Sequence, residues 1–387
     1  MKNLMGILFL FLTTLCSSQC VNDWPEFLAT DMQRSNPCET VLGVNNVGNL
    51  QLLWSYATEG DLTASPVMAN GVVYIGSSDH APKPALLALN AVTGTKLWSR
   101  FGEFTSPAVA SGVVYVGLAN TKGAGMYALK AKNGVKVWRN PMNGNGVISS
   151  PSLVDGVVYG EAGGFVWALK AKTGVKLWNH FTGNPEGSPA VANGMVYFGN
   201  TTYVFALNAK TGAELWSYYT GRAHDVTTPP AVANGVVYIG ASGYGGIDGR
   251  MYALNASTGA LLWSYLTGGN VGSTPAVSNG VVYFGSSDGN VYALNAATGA
   301  LLWSFTTSTP GVTSPAVANG VVYVASGDYN LTDNLYALDA STGAELWSYN
   351  IGDSVVSSPI VANGMVYMGV DSNNGFSGVY AFGLAQK

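Results

Sequence analysis

Apolar and polar positions alternate along this chain in short runs, and the runs return about every 40 residues. Residues 274–305, TPAVSNGVVYFGSSDGNVYALNAATGALLWSF, hold one unit. A run such as Pro315-Ala316-Val317-Ala318 stops at Asn319-Gly320 and resumes as Val321-Val322-Tyr323-Val324. Asn-Gly between two β-branched runs predicts a tight hairpin, because a type I′ turn needs positive φ at both central residues. The pair recurs at Asn70-Gly71, Asn193-Gly194, Asn234-Gly235, Asn279-Gly280 and Asn363-Gly364, with Ser111-Gly112 and Asp155-Gly156 in the remaining units. A third run carries Tyr127, Trp167, Phe205, Tyr252, Tyr292, Tyr336 or Tyr380, and turns at Thr-Gly pairs such as Thr258-Gly259 and Thr298-Gly299. The fourth run carries a tryptophan: Trp54, Trp98, Trp138, Trp178, Trp216, Trp263, Trp303 and Trp347. Period-two alternation marks half-buried strands, and four such strands per unit predict the blades of a β-propeller. The aromatic positions are read as packing between blades.

The order of the pieces predicts closure. Trp54 precedes any hairpin of its own, while the last hairpin, at Asn363-Gly364, is followed only by Val379-Tyr380-Ala381-Phe382 and the chain end. The orphan strand near residues 50–56 therefore completes the last blade. An all-β, eight-bladed ring of four-stranded antiparallel blades, latched by its N-terminal strand, removes the open edge that a solenoid would have to cap.

Composition agrees with short buried strands and tight turns. Charged residues are 10% and apolar residues 48% of the chain, with Gly 50. Disorder needs the opposite balance. The formal charge of −4 and the lack of a basic block argue against nucleic acid. At the N-terminus, Lys2 precedes an apolar run over residues 4–15 and a small polar stretch, the layout of a secretory signal. This run is too short to span a bilayer as a helix. The expected layout is a signal peptide over 1–20, an extension over 21–49 and the propeller over 50–383. Leu15 and Gln19 stand before Cys16 and Cys20, where a lipobox requires a small residue, so lipidation is not expected. In an oxidising compartment Cys20 and Cys38 either pair or remain free thiols; the spacing alone does not choose. Localisation is expected to be secreted, periplasmic or at the cell surface, as a monomer with no membrane span after signal cleavage.

The segment Ala253-Leu254-Asn255-Ala256-Ser257-Thr258-Gly259-Ala260-Leu261-Leu262-Trp263 resembles the tryptophan-docking motif of the pyrroloquinoline-quinone (PQQ) repeat family, Ala-x-Asp-x-x-Thr-Gly-x-x-x-Trp. It departs at Asn255; Asp339 restores the acid in the copy at 337–347, and Lys130 and Lys170 replace it in two others. The resemblance implies that Trp263 docks against the neighbouring motif near Gly299. In the quinoprotein alcohol dehydrogenases of this family, PQQ is held with Ca²⁺ by a Glu, Asn and Asp set beside an adjacent Cys-Cys pair. This chain has no Cys-Cys pair. In length and blade count it is similar to the barrel-assembly propeller lipoproteins of the outer membrane, which are partner-binding scaffolds.

The loops between second and third strands, and those between blades, share one end of the ring, and there the regular pattern breaks. Arg222, His224, Asp225, Asp248, Arg250, Asp328 and Asp333 form the candidate ligand-binding set, on the ground that loops on a rigid scaffold carry function. A ring of carboxylates is suited to Ca²⁺ or a cationic ligand, although Asp and Gly also serve simply as turn residues. On the opposite end, Lys130, Lys132, Lys136, Arg139, Lys170, Lys172, Lys176 and Lys210 concentrate eight of 17 basic residues on three units. They suit an acidic partner or anionic surface, or merely a solvated face. No catalytic or metal-ligating residue is assigned. The expected function is a non-catalytic scaffold for a protein or ligand. The alternatives are a PQQ- and Ca²⁺-dependent dehydrogenase of alcohols or sugars, and a cell-surface adhesion module.

Overall fold

The computed structural model describes residues 22–29, 32–58, 62, 64–77, 84–119, 123–142, 149–183, 187–221, 224–226, 228–243, 248–327, 333–352, 354–355, 357–371 and 377–385. The expected signal peptide lies outside them.

Eight antiparallel sheets succeed one another around a ring. Strands are lettered a to d from the channel outwards. Blade 1 comprises Val67–Ala69, Val72–Gly76, Ala85–Asn90 and Lys96–Phe101, and blade 5 comprises Ala231–Ala233, Val236–Gly243, Gly249–Asn255 and Leu261–Thr267. Strand a opens the other blades at Ala108–Ala110, Ser152–Val154, Ala190–Ala192, Ala276–Ser278, Ala316–Ala318 and Ile360–Ala362. The a strands pack side by side around the axis. In blade 8, strand d is Leu50–Thr58, paired with Ser377–Leu384, so the two ends of the chain share one sheet as the pattern predicts.

Local chemistry accounts for each blade. All eight a–b turns have positive φ at both central residues, for example Asn279 at 49° and Gly280 at 76°. Asn and Asp tolerate this conformation and Gly adopts it freely, so the turn residues dictate the hairpins. Every d strand carries a β-bulge at the residue before its tryptophan: Leu53, Leu97, Val137, Leu177, Leu215, Leu262, Leu302 and Leu346. A bulge twists the outer strand and interrupts the row of free backbone groups that would otherwise recruit another strand.

Successive blades are joined by a repeated contact of tryptophan, tyrosine and glycine; between blades 2 and 3 it has the indole bond, Trp138 Nε1 to Ala171 O, without the tyrosine bond. In blade 5, Trp263 Nε1 and Tyr238 Oη both donate to the carbonyl of Ala296 in blade 6, at 2.9 and 3.1 Å. The indole lies over Gly299, where a Cβ would come within 2.7 Å of Trp263 Cδ2, so no other residue fits beneath the ring. Blade 8 closes on blade 1 in the same way: Trp54 Nε1 and Tyr367 Oη both donate to Ala91 O.

The junction of blades 7 and 8 departs furthest. Blade 8 is built from two chain ends and has no c–d turn, so it offers no equivalent carbonyl. Tyr323 Oη is buried without a hydrogen-bond partner as a result. Trp347 instead packs edge-on against Phe382, with ring centroids 5.6 Å apart.

Candidate functional site

A propeller's channel is bounded by its a strands, whose inner edges expose backbone groups with no strand to pair them. Here the N-terminal extension pairs them. Trp24 exchanges two backbone bonds with Met68 of blade 1, at 2.8 and 2.7 Å. Pro25 O accepts from Val109 N of blade 2, and Glu26 Oε2 from Leu153 N of blade 3. Met32 O accepts from Val232 N of blade 5, Gln33 O from Val277 N of blade 6 and Arg34 O from Val317 N of blade 7. Asn36 Nδ2 donates to Val361 O of blade 8. These partners are the central residues of their a strands, and they are met in blade order. The extension is thus a strap that winds once around the inside of the channel.

Arg34 pins the strap. Its side chain is fully buried, and Nε donates to Pro315 O, Nη1 to Phe27 O, and Nη2 to Pro359 O and Ser314 O. Its guanidinium carbon lies 4.7 Å from the ring centroid of Phe27 and 5.5 Å from that of Trp24. Burial away from water pushes its pKa down to about 9. The fixed fork of five donors lets one arginine join the strap to blades 7 and 8. Further on, Glu39 Oε1 accepts from the amides of Val41 and Leu42, and Oε2 accepts from Gly364 N and Asn22 Nδ2. Cys38 is disulfide-bonded, while the chain's other cysteines, Cys16 and Cys20, lie outside the described residues.

Towards the loop end, hydroxyls hand over from blade to blade. The amides of Thr274, Ser314, Ser358 and Ser65 donate to the hydroxyls of Ser314, Ser358, Ser65 and Ser106 in turn. This unbroken relay crosses the closure from blade 8 to blade 1. Above it a groove of about 270 Å³ is lined by Asn270, Ser286, Ser287, Val312, Thr313 and neighbouring glycines of blades 6 and 7.

The candidate ligand set does not converge among the described residues. Arg222 and Asp328 lie outside them, as does the side chain of His224. Asp225 is exposed on a two-residue strand, His224–Asp225, that extends blade 5 by pairing with Ser242 and Gly243. Asp248 and Arg250 stand on the same blade, near the Tyr252 hydroxyl; burial pushes that group up to about 12, against the lowering effect of Arg250. Arg250 Nη1 donates to Ser264 Oγ. Asp333 is fully buried in blade 7 and accepts from Thr309 Oγ1 at 3.3 Å. Among the described residues no three His, Cys, Asp or Glu side chains are placed to hold a metal ion.

The basic set behaves differently. Lys130, Lys132, Lys136 and Arg139 of blade 2, Lys170, Lys172 and Lys176 of blade 3, and Lys210 of blade 4 are all exposed at the c–d turns and d strands. Among the described residues none of the eight forms an ion pair with an acid. Lys176 Nζ lies 5.5 Å from the ring centroid of Trp167.

Beyond the limits of the extension and the alternative of a Cys20–Cys38 pair, the sequence predicts no role for it. The signal available was a cluster of large apolar residues, Trp24, Phe27, Leu28 and Met32, outside any repeat; such residues seldom stay exposed together.

Five overlapping stretches, residues 51–104, 100–247, 226–314, 247–334 and 288–382, match the PQQ-repeat family described as Outer membrane protein assembly factor BamB. Comparison with curated protein sequences gives no match. Among solved structures, the fold is similar to quinohemoprotein alcohol dehydrogenase from Comamonas testosteroni, at 17% identity and a TM-score of 0.75 over 96% of this chain and 82% of that one. It is similar to BamB from Moraxella catarrhalis, at 19% identity and a TM-score of 0.66 over 87% and 98%. It is also similar to the computationally designed Ika8 protein, at 20% identity and a TM-score of 0.70 over 85% and 99%. At such identities the likeness is one of fold alone.

Proposed function

The chain belongs to the PQQ-repeat propeller family described as Outer membrane protein assembly factor BamB, and from that premise we propose that it is an exported, non-catalytic scaffold whose outer surfaces hold a protein partner or ligand. The observation that carries this reading is the strap. Among the described residues, 24–26 and 32–36 bond to the inner edges of seven of the eight a strands, which turns binding towards the loop end and the outer wall. The bonded state of Cys38 supports export, since structural disulfides persist in oxidising compartments. No helix among the described residues is long and apolar enough to cross a membrane.

The test is to supply purified protein with PQQ and Ca²⁺ and to follow both quinone binding and dye-linked oxidation of alcohols and sugars. The scaffold reading expects neither. Saturable quinone binding with turnover would overturn it in favour of a quinoprotein dehydrogenase. Capture of a partner by the intact protein under the same conditions would support it.

A further inference from the structure

The c–d turns follow one rule in five blades and break it in two. At the last residue of strand c, Asn90, Asn208, Asn255, Asn295 and Asp339 each accept, through the side-chain oxygen, from the amides two and three residues on. This brace stabilises the turn and is the reason Asn and Asp favour such positions. In blades 2 and 3 the equivalent residues are Lys130 and Lys170. An ammonium group has three donors and no acceptor, so it cannot make either bond. The turns keep their backbone bonds, Gly134 N to Lys130 O and Gly174 N to Lys170 O, and a bond from the following amide to a turn side chain, Val135 N to Asn133 Oδ1 and Val175 N to Thr173 Oγ1, but lack the two bonds of the brace. Two blades have thus given up a local stabilisation that five others keep. Departures of this kind from an otherwise consistent pattern are expected where function intervenes.

The departures fall together in space. Lys132, Lys136, Lys172, Lys176 and Lys210 extend the same wall. Aliphatic side chains stand between them: Val135 is 50% exposed, Val137 46%, Val175 59% and Leu177 49%. At the corresponding turns of blades 5 and 6 there is no basic residue, and blade 7 has Asp339 and Glu345. Blade 1 adds Lys96 and Arg100 on its outer strand and blade 4 also carries Glu214, so the positive charge falls on the consecutive blades 1 to 4 and is densest on blades 2 and 3, in a protein whose net charge is −4.

We propose that this wall of blades 2 to 4 docks the propeller on an anionic lipid bilayer, with the lysines over the headgroups and the aliphatic side chains at their level. One observation favours a lipid surface over an acidic protein. The basic groups are seven lysines and one arginine. Lysine acts as a strongly hydrated point charge, whereas recognition of individual carboxylates favours the arginine fork. Polybasic segments bind anionic leaflets through such additive attraction, which fades within a Debye length.

The experiment is co-sedimentation of the full-length protein with vesicles containing phosphatidylglycerol and with vesicles of phosphatidylcholine alone, at low and at high salt. Three proteins are compared: the wild type, the triple variant Lys132→Glu, Lys172→Glu, Lys210→Glu, and the double variant Lys130→Asn, Lys170→Asn. Each neutralised lysine should weaken partition about fivefold. The double variant is then expected to bind phosphatidylglycerol vesicles roughly 25-fold more weakly, and the triple charge reversal at least ~100-fold more weakly. The double variant should also melt at a higher temperature than the wild type because its turns regain their brace, which separates loss of binding from loss of fold. Equal binding to both vesicle types, or vesicle binding unchanged in the triple variant, overturns the proposal. Salt-sensitive binding to polyglutamate with no binding to vesicles also overturns it, and assigns the wall to an acidic protein. The outcome does not depend on the quinone assay, so this proposal and the scaffold reading fail separately.

Discussion

Trp54 Nε1 donates to the carbonyl oxygen of Ala91 at 3.0 Å, and this bond lies where the ring closes. Trp54 stands on the strand that the N-terminal part of the chain contributes to blade 8, and Ala91 follows strand c of blade 1. The same geometry joins blades that are continuous in sequence, so closure uses the interior interface of the repeat and needs no special chemistry.

Replacing Trp54 by Ala removes the indole from over Gly94 and leaves the Ala91 carbonyl with Tyr367 alone. Trp54 is half-buried, and the expected loss is about 2–4 kcal/mol, near the lower part of the range for large aromatic truncations. Urea unfolding of Trp54→Ala beside Trp263→Ala measures closure against an interior junction. Similar losses are expected, because both contacts have the same parts.

Tyr323 and Tyr238 occupy equivalent positions but should respond oppositely to loss of the hydroxyl. Tyr238→Phe deletes a bond to Ala296 O and should cost about 1 kcal/mol. Tyr323→Phe deletes a buried hydroxyl that has no partner, and should be neutral or stabilising by up to ~1 kcal/mol. A Tyr323→Phe loss equal to that of Tyr238→Phe would show that the junction of blades 7 and 8 satisfies this hydroxyl after all.

Arg34→Met would leave the carbonyls of Phe27, Ser314, Pro315 and Pro359 without their donor inside the channel. A cost of about 3–5 kcal/mol is expected. Arg34→Lys should rescue little of it, since an ammonium group cannot span the same fork. Limited proteolysis provides the specific readout: cleavage within residues 22–40 should appear before cleavage in the blades.

Alkaline pH should unfold the ring cooperatively. Burial raises the hydroxyls of Tyr74, Tyr197, Tyr238 and Tyr283 from 10 to about 12, and raises Tyr323 and Tyr367 further. In each case the folded state holds a proton that the unfolded chain releases near pH 10. Their contribution to stability is therefore complete below pH 10 and is lost as pH rises from 10 through 12. Absorbance from these six tyrosinates should appear together with loss of far-ultraviolet β signal, and well above pH 10. Ionisation of all 21 tyrosines from pH 10 in a folded protein would contradict the burial of these hydroxyls.

Much of the fold was legible because each blade is specified locally. Asn279-Gly280 fixes a hairpin within four residues, and Thr298-Gly299 fixes the approach of Trp263 from the preceding blade. The position of Trp54 before the first hairpin was enough to infer the shared eighth blade. The candidate ligand set was less legible. Asp225, Asp248 and Arg250 share blade 5, while Asp333 is buried in blade 7, because loop residues follow the braces of their own blades rather than their common end of the ring. The lysines at 130 and 170 were visible as departures from the family's acid. Their meaning needed the hydrogen bonds that the other five blades make at that position.

The amino-acid sequence by itself determined the number of blades, their turns and the strand that closes them, since all three follow from short-range chemistry repeated at a fixed period. Only the tertiary structure decided what residues 24–26 and 32–36 pair with and what Arg34 holds. Its bond to Pro359 O spans 325 residues, and no periodic or local signal encodes a contact of that separation. The unpaired inner edges of the a strands come into being only when the ring is closed, and the strap is placed by the need to satisfy them.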